Sequence, residues 1–175
     1  IPSMGRRTRV MGNVPDRTHG RTCGRGNLSF TSINLPRIGI EAKGDIKRFY
    51  ELLDKRIDLV IRQLLHRFQI QCGKKVYNYP FLMGQGVWLD SDKLGPEDNI
   101  AEVLKHGTLS IGFIGLAETL KALTGKHHGE SEESQKLGLE IIGYMRKRMD
   151  DESKKRGLNF TLLATPAEGL SGRFV

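Results

Sequence analysis

Strand-like and helix-like segments alternate along the chain, and this order constrains the fold more than any other feature. Each short apolar run is followed by a longer run whose apolar residues recur at helical spacing. This alternation predicts an α/β fold with largely parallel strands, whose binding sites lie at the carboxyl ends of the strands. The predicted strands are residues 28–35, 109–114 and 160–164, and the predicted helices are residues 45–72, 96–105, 115–123 and 131–156.

A glycine-rich segment leads into the first of these strands. Gly24 and Gly26 flank Arg25, and Asn27 opens the strand. Glycine adopts backbone angles that other residues avoid and allows another chain segment or a ligand to approach closely. The pattern therefore predicts that Asn27 lies at the mouth of the strand, where side chains meet ligands. An ordinary turn before a core strand is the alternative, since polar residues beside glycines are usual in turns.

The boundaries of the other elements follow from caps and breakers. Pro36 is expected to end the first strand, and Asp45 and Ser131 are expected to cap the two longest helices. A short helix is predicted from Pro96 to Lys105. Residues 76–89 are apolar but contain a proline and two glycines, which favours a strand plus a loop over a helix.

Composition narrows the range of functions. The 175 residues carry a net charge of +8, divided between an arginine-rich beginning and scattered helix positions, which is typical of a solvated surface. The hydrophobic content of 38% supports a core, and no apolar run has the length of a membrane span. Cys23 and Cys72 lack metal-ligand spacing. We expect a fragment of a longer protein, because the chain starts at Ile1 and stops at Val175 inside an apparently structured stretch. Since no apolar run has the length of a membrane span, we also expect that protein to be cytoplasmic.

Three further positions invite chemistry. The adjacent histidines His127 and His128 would point apart and no third ligand follows at a standard spacing, so no metal site is predicted. Glu118 lies in an apolar helix and is either a functional carboxylate or an exposed helix position. The segment Thr165, Pro166, Ala167, Glu168 and Gly169 predicts a strand-to-helix turn, with Pro166 in the first helical turn and free amides that could hold phosphate.

Several blocks, in order, resemble the catalytic domain of the anaerobic, class III ribonucleoside-triphosphate reductases. The blocks are SMG at 3–5, RTRV at 7–10, GRGNLSFTSINLPR at 24–37, GFIGLAE at 112–118, LTGKHHG at 123–129 and ATPAEGLSGRF at 164–174. The resemblance covers essentially the whole chain. It implies part of a ten-stranded α/β barrel made of two five-stranded parallel halves with an internal finger loop.

The resemblance also implies roles for individual residues. Residues 1–27 resemble the finger loop and its exit, and residues 28–175 the alternating strands and helices of one partial barrel domain, 1–175. The family's counterpart of Asn27 holds the substrate nucleotide near a radical cysteine, and the turn at 165–169 is expected to hold its phosphates. The chain departs from the family at Arg6, because the pattern Met-Gly-Cys-Arg-Thr reads Met4-Gly5-Arg6-Arg7-Thr8 here.

The implied reaction is the reduction of ribonucleoside triphosphates to deoxyribonucleoside triphosphates by glycyl and thiyl radical chemistry. The glycyl radical would belong to a carboxyl-terminal segment of the parent protein, and a separate radical S-adenosylmethionine activating protein with a 4Fe-4S cluster would install it. Formate or a thiol system would be the reductant, and the parent is expected to be a homodimer. The fragment alone, which would bind none of these cofactors, is expected to be inactive.

Two alternatives belong to other functional classes. Arg6, together with the retained Asn27 and the turn at 165–169, would also suit a non-catalytic nucleotide-binding paralogue. A basic module that binds nucleic acid directly would rest on net charge alone, because no aromatic platform interleaves the basic residues. Cys23 is the alternative source of a thiol, although its place beside Gly24 matches no radical cysteine of the family.

Overall fold

A computed structural model describes residues 3–4, 8–9, 12–18, 20 and 22–171 of the chain. It consists of two compact units. The first comprises Ile1–Phe30, Gln63–Ser110 and Asp150–Thr161, and the second comprises Thr31–Arg62, Ile111–Met149 and Leu162–Val175. No helix among the described residues is long and apolar enough to cross a bilayer.

The described elements alternate between strands and helices, as the sequence predicts. The strands are β1 (Ser3–Met4), β2 (Thr8–Arg9), β3 (Asn27–Asn34), β4 (Thr108–Ile114) and β5 (Asn159–Ala164). The α-helices are α1 (Leu35–Ala42), α2 (Ile46–Cys72), α3 (Ala101–Leu104), α4 (Leu116–Thr124), α5 (Glu132–Arg156) and α6 (Glu168–Ser171). Two short 3-10 helices cover Val76–Asn78 and Ser91–Lys93.

The three longer strands form one parallel sheet in the order β3-β4-β5. Near the starts of β3 and β4, the amide of Thr108 donates to the carbonyl of Gly26 at 2.9 Å. Near the ends of β4 and β5, the amide of Thr165 donates to the carbonyl of Phe113 at 2.9 Å. These bonds fix the parallel direction and confirm the mixed α/β fold.

A separate two-stranded antiparallel sheet pairs β1 with β2. Ser3 lies opposite Arg9, and Met4 lies opposite Thr8. The residues between the two strands, 5–7, lie outside the described residues, and Arg6 is among them.

The helix α2 meets β3 in the first unit through side chains rather than apolar packing alone. Gln71 donates to the carbonyl of Leu28 at 3.2 Å, and Arg67 donates to the carbonyl of Phe30 at 3.2 Å and to the hydroxyl of Ser29 at 3.0 Å. Because alternate carbonyls of an edge strand point away from its sheet, these bonds satisfy groups that would otherwise be open.

The two long helices confirm the predicted boundaries and inner faces. In α2, the buried residues recur at helical spacing: Phe49, Leu53, Ile57, Val60, Ile61 and Leu64. In α5, Ile141, Met145 and Met149 are buried. Ser131 accepts a hydrogen bond from the amide of Ser134 at 3.1 Å, as an N-cap does, and Gly157 takes a positive φ of 62° after the last turn.

The prediction of a strand within residues 76–89 is wrong. This segment forms a 3-10 helix and turns that supply Val76, Met83 and Trp88 to the core of the first unit. The indole nitrogen of Trp88 donates to the carbonyl of Val103 at 2.8 Å, and its amide donates to the carbonyl of Leu82 at 2.8 Å. The segment therefore satisfies its polar groups through turns and tertiary contacts rather than through a sheet.

The predicted helix from Pro96 to Lys105 shrinks to α3, Ala101–Leu104. The side chain of Asp98 accepts from the amide of Gly95 at 2.8 Å, and the side chain of Asn99 accepts from the amide of Ala101 at 2.7 Å. These local bonds hold a turn and compete with the helix. The predicted inward residues Ile100, Val103 and Leu104 are buried nevertheless.

One helix, α1, is absent from the sequence prediction, which treated Pro36 only as the end of a strand. Asn34 is its N-cap, and its side-chain oxygen accepts from the amide of Arg37 at 3.1 Å. Pro36 lies in the first turn, where a missing amide hydrogen costs nothing. The strand β3 thus passes directly into α1.

We expect Asn34→Ala to loosen the start of α1, because the amide of Arg37 loses its acceptor. Loss of an N-cap of this kind costs about 0.5–2 kcal/mol, which corresponds to about 2- to 30-fold faster amide exchange where opening is local. Hydrogen exchange of peptides covering residues 35–42 in the full-length protein measures this. Asn34→Ser, which keeps a capping oxygen, should exchange like the wild type. Equal exchange in all three proteins would contradict the capping role.

Candidate functional site

The predicted site residues fall in different parts of the structure. Arg6 lies outside the described residues. Asn27 belongs to the first unit, whereas Thr165, Pro166, Ala167, Glu168 and Gly169 belong to the second unit.

The segment that precedes Asn27 is held in place by backbone contacts of Gly24. Its carbonyl accepts from the amide of Leu89 at 2.7 Å, and its φ is 74°. A Cβ atom at this position would lie 3.2 Å from the Leu89 nitrogen and 3.2 Å from the Val87 carbonyl oxygen. The prediction that this glycine permits an unusual backbone angle and a close approach is confirmed, and the approaching segment is another part of the same unit.

The residue after Gly24 is buried as well. Arg25 is only 8% exposed, and its Nε donates to the carbonyl of His106 at 2.9 Å. Burial lowers the pKa of the Arg25 guanidinium. Burying a cation costs much free energy unless its hydrogens find acceptors. The His106 carbonyl is such an acceptor, so Arg25 is part of the interior of the unit rather than of its charged surface.

A network of buried polar side chains attaches the loop before Arg25 to the starts of β4 and β5. Asn159 Nδ2 donates to Asn13 Oδ1 at 3.2 Å and to the carbonyl of His106 at 3.2 Å. Asn159 Oδ1 accepts from the amide of Val14 at 2.8 Å, and Asn13 Nδ2 lies 2.9 Å from His106 Nδ1. These bonds hold residues 13 and 14 against the sheet of the first unit.

His106 is the titratable member of this network. Burial lowers the pKa of its imidazole, and the carboxylate of Asp90, 3.4 Å from Nε2, acts in the opposite direction. The burial effect is the larger of the two. A neutral imidazole can accept the hydrogen bond from Asn13 at Nδ1, so the lowered pKa agrees with the geometry.

Asn27 is the first residue of β3, so it lies at the amino end of that strand. Asn27 therefore opens the strand as predicted, but this is not the carboxyl end at which the α/β fold predicts binding sites. The side chain is half-buried, and its Oδ1 accepts from the hydroxyl of Ser110 at 2.7 Å. Ser110 is completely buried in β4. The contact fixes the Asn27 amide against the neighbouring strand.

The turn at 165–169 follows the carboxyl end of β5, as predicted. Pro166 precedes α6, which begins at Glu168, so the expectation that it lies within the first helical turn is wrong. The amide of Thr165 donates to the carbonyl of Phe113 and is used by the sheet. The amide of Leu170 donates to the carbonyl of Ala167 at 2.9 Å, and the amides of Glu168 and Gly169, at the start of α6, have no acceptor inside the helix.

The hydroxyl of Thr165 lies 2.6 Å from the hydroxyl of Ser32, and the two groups share a hydrogen bond above Gly112. A Cβ atom on Gly112 would lie 2.1 Å from the Thr165 hydroxyl oxygen and 2.6 Å from that of Ser32. Only glycine fits at this position of β4. A pair of hydroxyl groups therefore stands at the carboxyl end of the sheet, beside the predicted phosphate turn.

The remaining candidates form local contacts. His127 Nδ1 accepts from the amide of Gly129 at 3.0 Å, and its Nε2 lies 3.6 Å from Glu130. Within the described residues, no group of three or more potential ligands is placed to hold a metal ion. Cys23 is exposed and carries a free thiol. Glu118 lies in the first turn of α4 and is partly exposed.

Ser110, Ser32 and Gly112 were not among the site residues predicted from the sequence. A signal for Ser110 exists in the sequence, because small or polar residues alternate with Leu109 and Ile111 in a strand whose first five residues are buried. Nothing in the sequence pairs Ser32 with Thr165, because the contact joins residues far apart along the chain.

Comparisons with known proteins are consistent along the whole chain. The family model described as anaerobic ribonucleoside-triphosphate reductase matches residues 1–175. The relative of that name from Escherichia coli strain K12 is 37% identical over 154 residues, which cover 86% of this chain and 21% of the relative. The relative from enterobacteria phage T4 is 32% identical over 157 residues, which cover 86% of this chain and 24% of the relative.

Solved structures agree in fold. The anaerobic ribonucleotide reductase from Thermotoga maritima with citrate in the active site aligns with a TM-score of 0.65 at 19% identity, over 85% of this chain and 26% of that chain. The same protein in complex with dATP and CTP aligns with a TM-score of 0.53 at 19% identity, over 78% and 21%. The chain thus spans about a fifth to a quarter of the proteins that it matches. Because the family model matches from the first residue to the last, the chain belongs to the anaerobic ribonucleoside-triphosphate reductase family.

Proposed function

We propose that the chain is part of the catalytic domain of a protein that binds ribonucleoside triphosphates and whose family reduces them to deoxyribonucleoside triphosphates. The observation that carries the proposal is the placement of Asn27 at the start of β3. Its side chain is fixed there by a hydrogen bond from the buried hydroxyl of Ser110 in β4. In this proposal Asn27 holds the sugar of the substrate nucleotide. A rigid amide suits this task, because binding a hydroxyl group then costs little side-chain entropy.

The turn at Thr165, Pro166, Ala167, Glu168 and Gly169 is proposed to hold the phosphates. The Ser32 and Thr165 hydroxyls share one hydrogen bond, which leaves one hydroxyl hydrogen of the pair to donate there, together with the amides of Glu168 and Gly169 at the start of α6. The Thermotoga maritima protein has been solved in complex with dATP and CTP, which supports a nucleotide ligand in this family. The parallel sheet β3-β4-β5 would be part of the ten-stranded barrel that the resemblance implies.

Arg6 decides whether the parent is a reductase. In the family, a glycyl radical supplies the oxidising equivalent that makes a thiyl radical on the finger-loop cysteine. A guanidinium group does not fit this chemistry, because it has no S–H bond and stays protonated. We therefore propose that the present chain alone is inactive in reduction and that its parent is an anaerobic ribonucleoside-triphosphate reductase with Arg6 in the place of the family's radical cysteine. A non-catalytic nucleotide-binding paralogue is the alternative, and Arg6 favours it.

The other components of the reaction would lie outside this chain. The glycyl radical would belong to the carboxyl-terminal part of the parent, and a radical S-adenosylmethionine activating protein with a 4Fe-4S cluster would install it. Formate or a thiol system would be the reductant, in a cytoplasmic homodimer. The two functional classes, reductase and non-catalytic nucleotide-binding paralogue, share the nucleotide site and differ at position 6.

In the full-length protein with its activating protein, we expect Arg6→Cys to produce deoxyribonucleotides from an undetectable baseline. The physical reason is that a thiyl radical forms an S–H bond comparable in strength to the ribose C–H bond that it breaks, whereas a guanidinium group offers no such radical. Anaerobic turnover with each ribonucleoside triphosphate and formate or a dithiol is the measurement. Arg6→Ala is the matched control, because it removes the guanidinium without adding a thiol, and it should stay inactive.

Equal turnover in the unsubstituted protein and in Arg6→Cys would contradict the assignment of position 6. The exposed thiol of Cys23 would then become the candidate, and Cys23→Ala would be expected to abolish turnover.

We expect Asn27→Ala to weaken nucleotide binding and, in the Arg6→Cys background, to reduce turnover. The substitution also leaves the buried Ser110 hydroxyl without its acceptor, which costs about 1–3 kcal/mol of stability. Titration of a ribonucleoside triphosphate and thermal melting of the same preparations separate the two effects. A loss of melting temperature with unchanged affinity would assign Asn27 to the turn alone and contradict its role in binding.

We expect Thr165→Val to weaken binding of a ribonucleoside triphosphate by about 3- to 10-fold, the effect of losing one hydrogen bond. The substitution keeps the shape of the side chain and removes the hydroxyl that pairs with Ser32. The corresponding nucleoside, which has no phosphates, serves as the internal control and should bind equally to both proteins. An equal loss for nucleoside and triphosphate would contradict a phosphate role for this turn.

A further inference from the structure

Ser110 has an unusual setting for a hydroxyl group. It is completely buried in β4 between the apolar neighbours Leu109 and Ile111. A buried hydroxyl destabilises a protein unless it forms a hydrogen bond. Most side-chain hydrogen bonds go to backbone or water, yet this one goes to another side chain, the amide of Asn27, at 2.7 Å.

The bond has a direction that matters for a ligand. The Ser110 hydroxyl donates to Oδ1 of Asn27, so the oxygen end of the amide faces β4. A primary amide is an acceptor at one end and a donor at the other. Fixing the oxygen end therefore fixes the nitrogen end, which can only donate.

The backbone at Asn27 is held as firmly as the side chain. The amide of Thr108 donates to the carbonyl of Gly26 at 2.9 Å, and Gly24 is bonded to Leu89. Arg25 lies between these glycines and is bonded to the carbonyl of His106. With its backbone held by neighbouring strands and loops, Asn27 keeps mainly the rotation of its side chain, and the hydrogen bond from the Ser110 hydroxyl restricts that rotation.

We propose that Ser110 is a positioning residue for the nucleotide: it orients the Asn27 amide so that Nδ2 donates to a hydroxyl group of the ribose. This inference rests on the proposed function, because it takes Asn27 as the residue that holds the sugar. Ser110 acts through Asn27 and does not itself touch the ligand.

The chain offers a matched control two residues away. Thr108 is also completely buried in β4, and its hydroxyl has no hydrogen-bond partner among the described residues. Thr108→Val removes this hydroxyl with almost no change of shape. Thr108→Val and Ser110→Ala therefore both remove a buried hydroxyl from β4, and only the second removes a contact to Asn27.

The test is equilibrium binding of ATP, CTP, GTP and UTP, and of their 2′-deoxy and 3′-deoxy analogues, to the full-length protein. The component of binding that Asn27→Ala removes reports on this site. We expect Ser110→Ala to weaken that component by about 3- to 10-fold, as for the loss of one hydrogen bond. Ser110→Thr, which keeps the hydroxyl, should retain at least part of the affinity, and Thr108→Val should bind like the wild type.

Two further readouts distinguish positioning from a structural role. Ser110→Ala should reduce the discrimination against the deoxy analogue that lacks the hydroxyl bound by Asn27. It should also have no additional effect on binding in the Asn27→Ala background, because it acts only through that amide.

The inference is overturned by unchanged affinity in Ser110→Ala while Asn27→Ala weakens binding, or by an equal loss in Ser110→Ala and Thr108→Val. In those cases the proposed nucleotide site still stands. If Asn27→Ala leaves binding unchanged, or if the protein binds none of the nucleotides, the proposed role of Asn27 fails and the inference fails with it.

Discussion

The central strand β4 is the element on which the rest of the sheet depends. It lies between β3 and β5, so its backbone groups find partners on both sides, and its first five residues are buried. Alternation along the strand gives one face Leu109 and Ile111 and the other Thr108, Ser110 and Gly112. The apolar face suits packing, whereas the other face carries hydroxyl groups and a position without a side chain. A strand built for packing alone would bury branched apolar residues on both faces.

The cost of this second face is offset by specific contacts rather than by general burial. Ser110 gives its hydroxyl to Asn27, and the absence of a side chain at Gly112 makes room for the contact between Ser32 and Thr165. Thr108 is the exception, since its buried hydroxyl has no partner among the described residues. Unpaired buried hydroxyls are uncommon in folded proteins.

Local sequence signals predicted much of the fold, because they depend on residues close along the chain. The spacing of apolar residues in α2 and α5, the cap at Ser131 and the apolar run of β4 are all signals of this kind. The errors arose where distant contacts or competing local bonds decided the outcome. The core of the first unit draws in residues 76–89 without a strand, and the side chains of Asp98 and Asn99 hold a turn where a helix was predicted. The helix α1 was missed because Pro36 suits both the end of a strand and the start of a helix.

The candidate site shows the same division. Asn27 and the turn at 165–169 stand out through glycines and a strand-to-helix boundary, which are local signals. Their partners Ser110 and Ser32 lie far away in sequence, so pattern alone could not pair them with Asn27 and Thr165. Asn27 lies at the amino end of β3, whereas the turn at 165–169 follows the carboxyl end of β5, so the two predicted segments occupy opposite ends of their strands.

The roles proposed for Arg6 and Asn27 have different physical requirements. The amide of Asn27 needs only a rigid setting to bind a hydroxyl group, and Ser110 and the backbone of Gly26 supply it. In the function proposed above, the residue at position 6 would have to accept a hydrogen atom, and a guanidinium group cannot do so at any orientation. A triphosphate is an anion that a permanently charged guanidinium can pair with. Under that proposal, a chain with Arg6 would keep a nucleotide site and lose the radical chemistry.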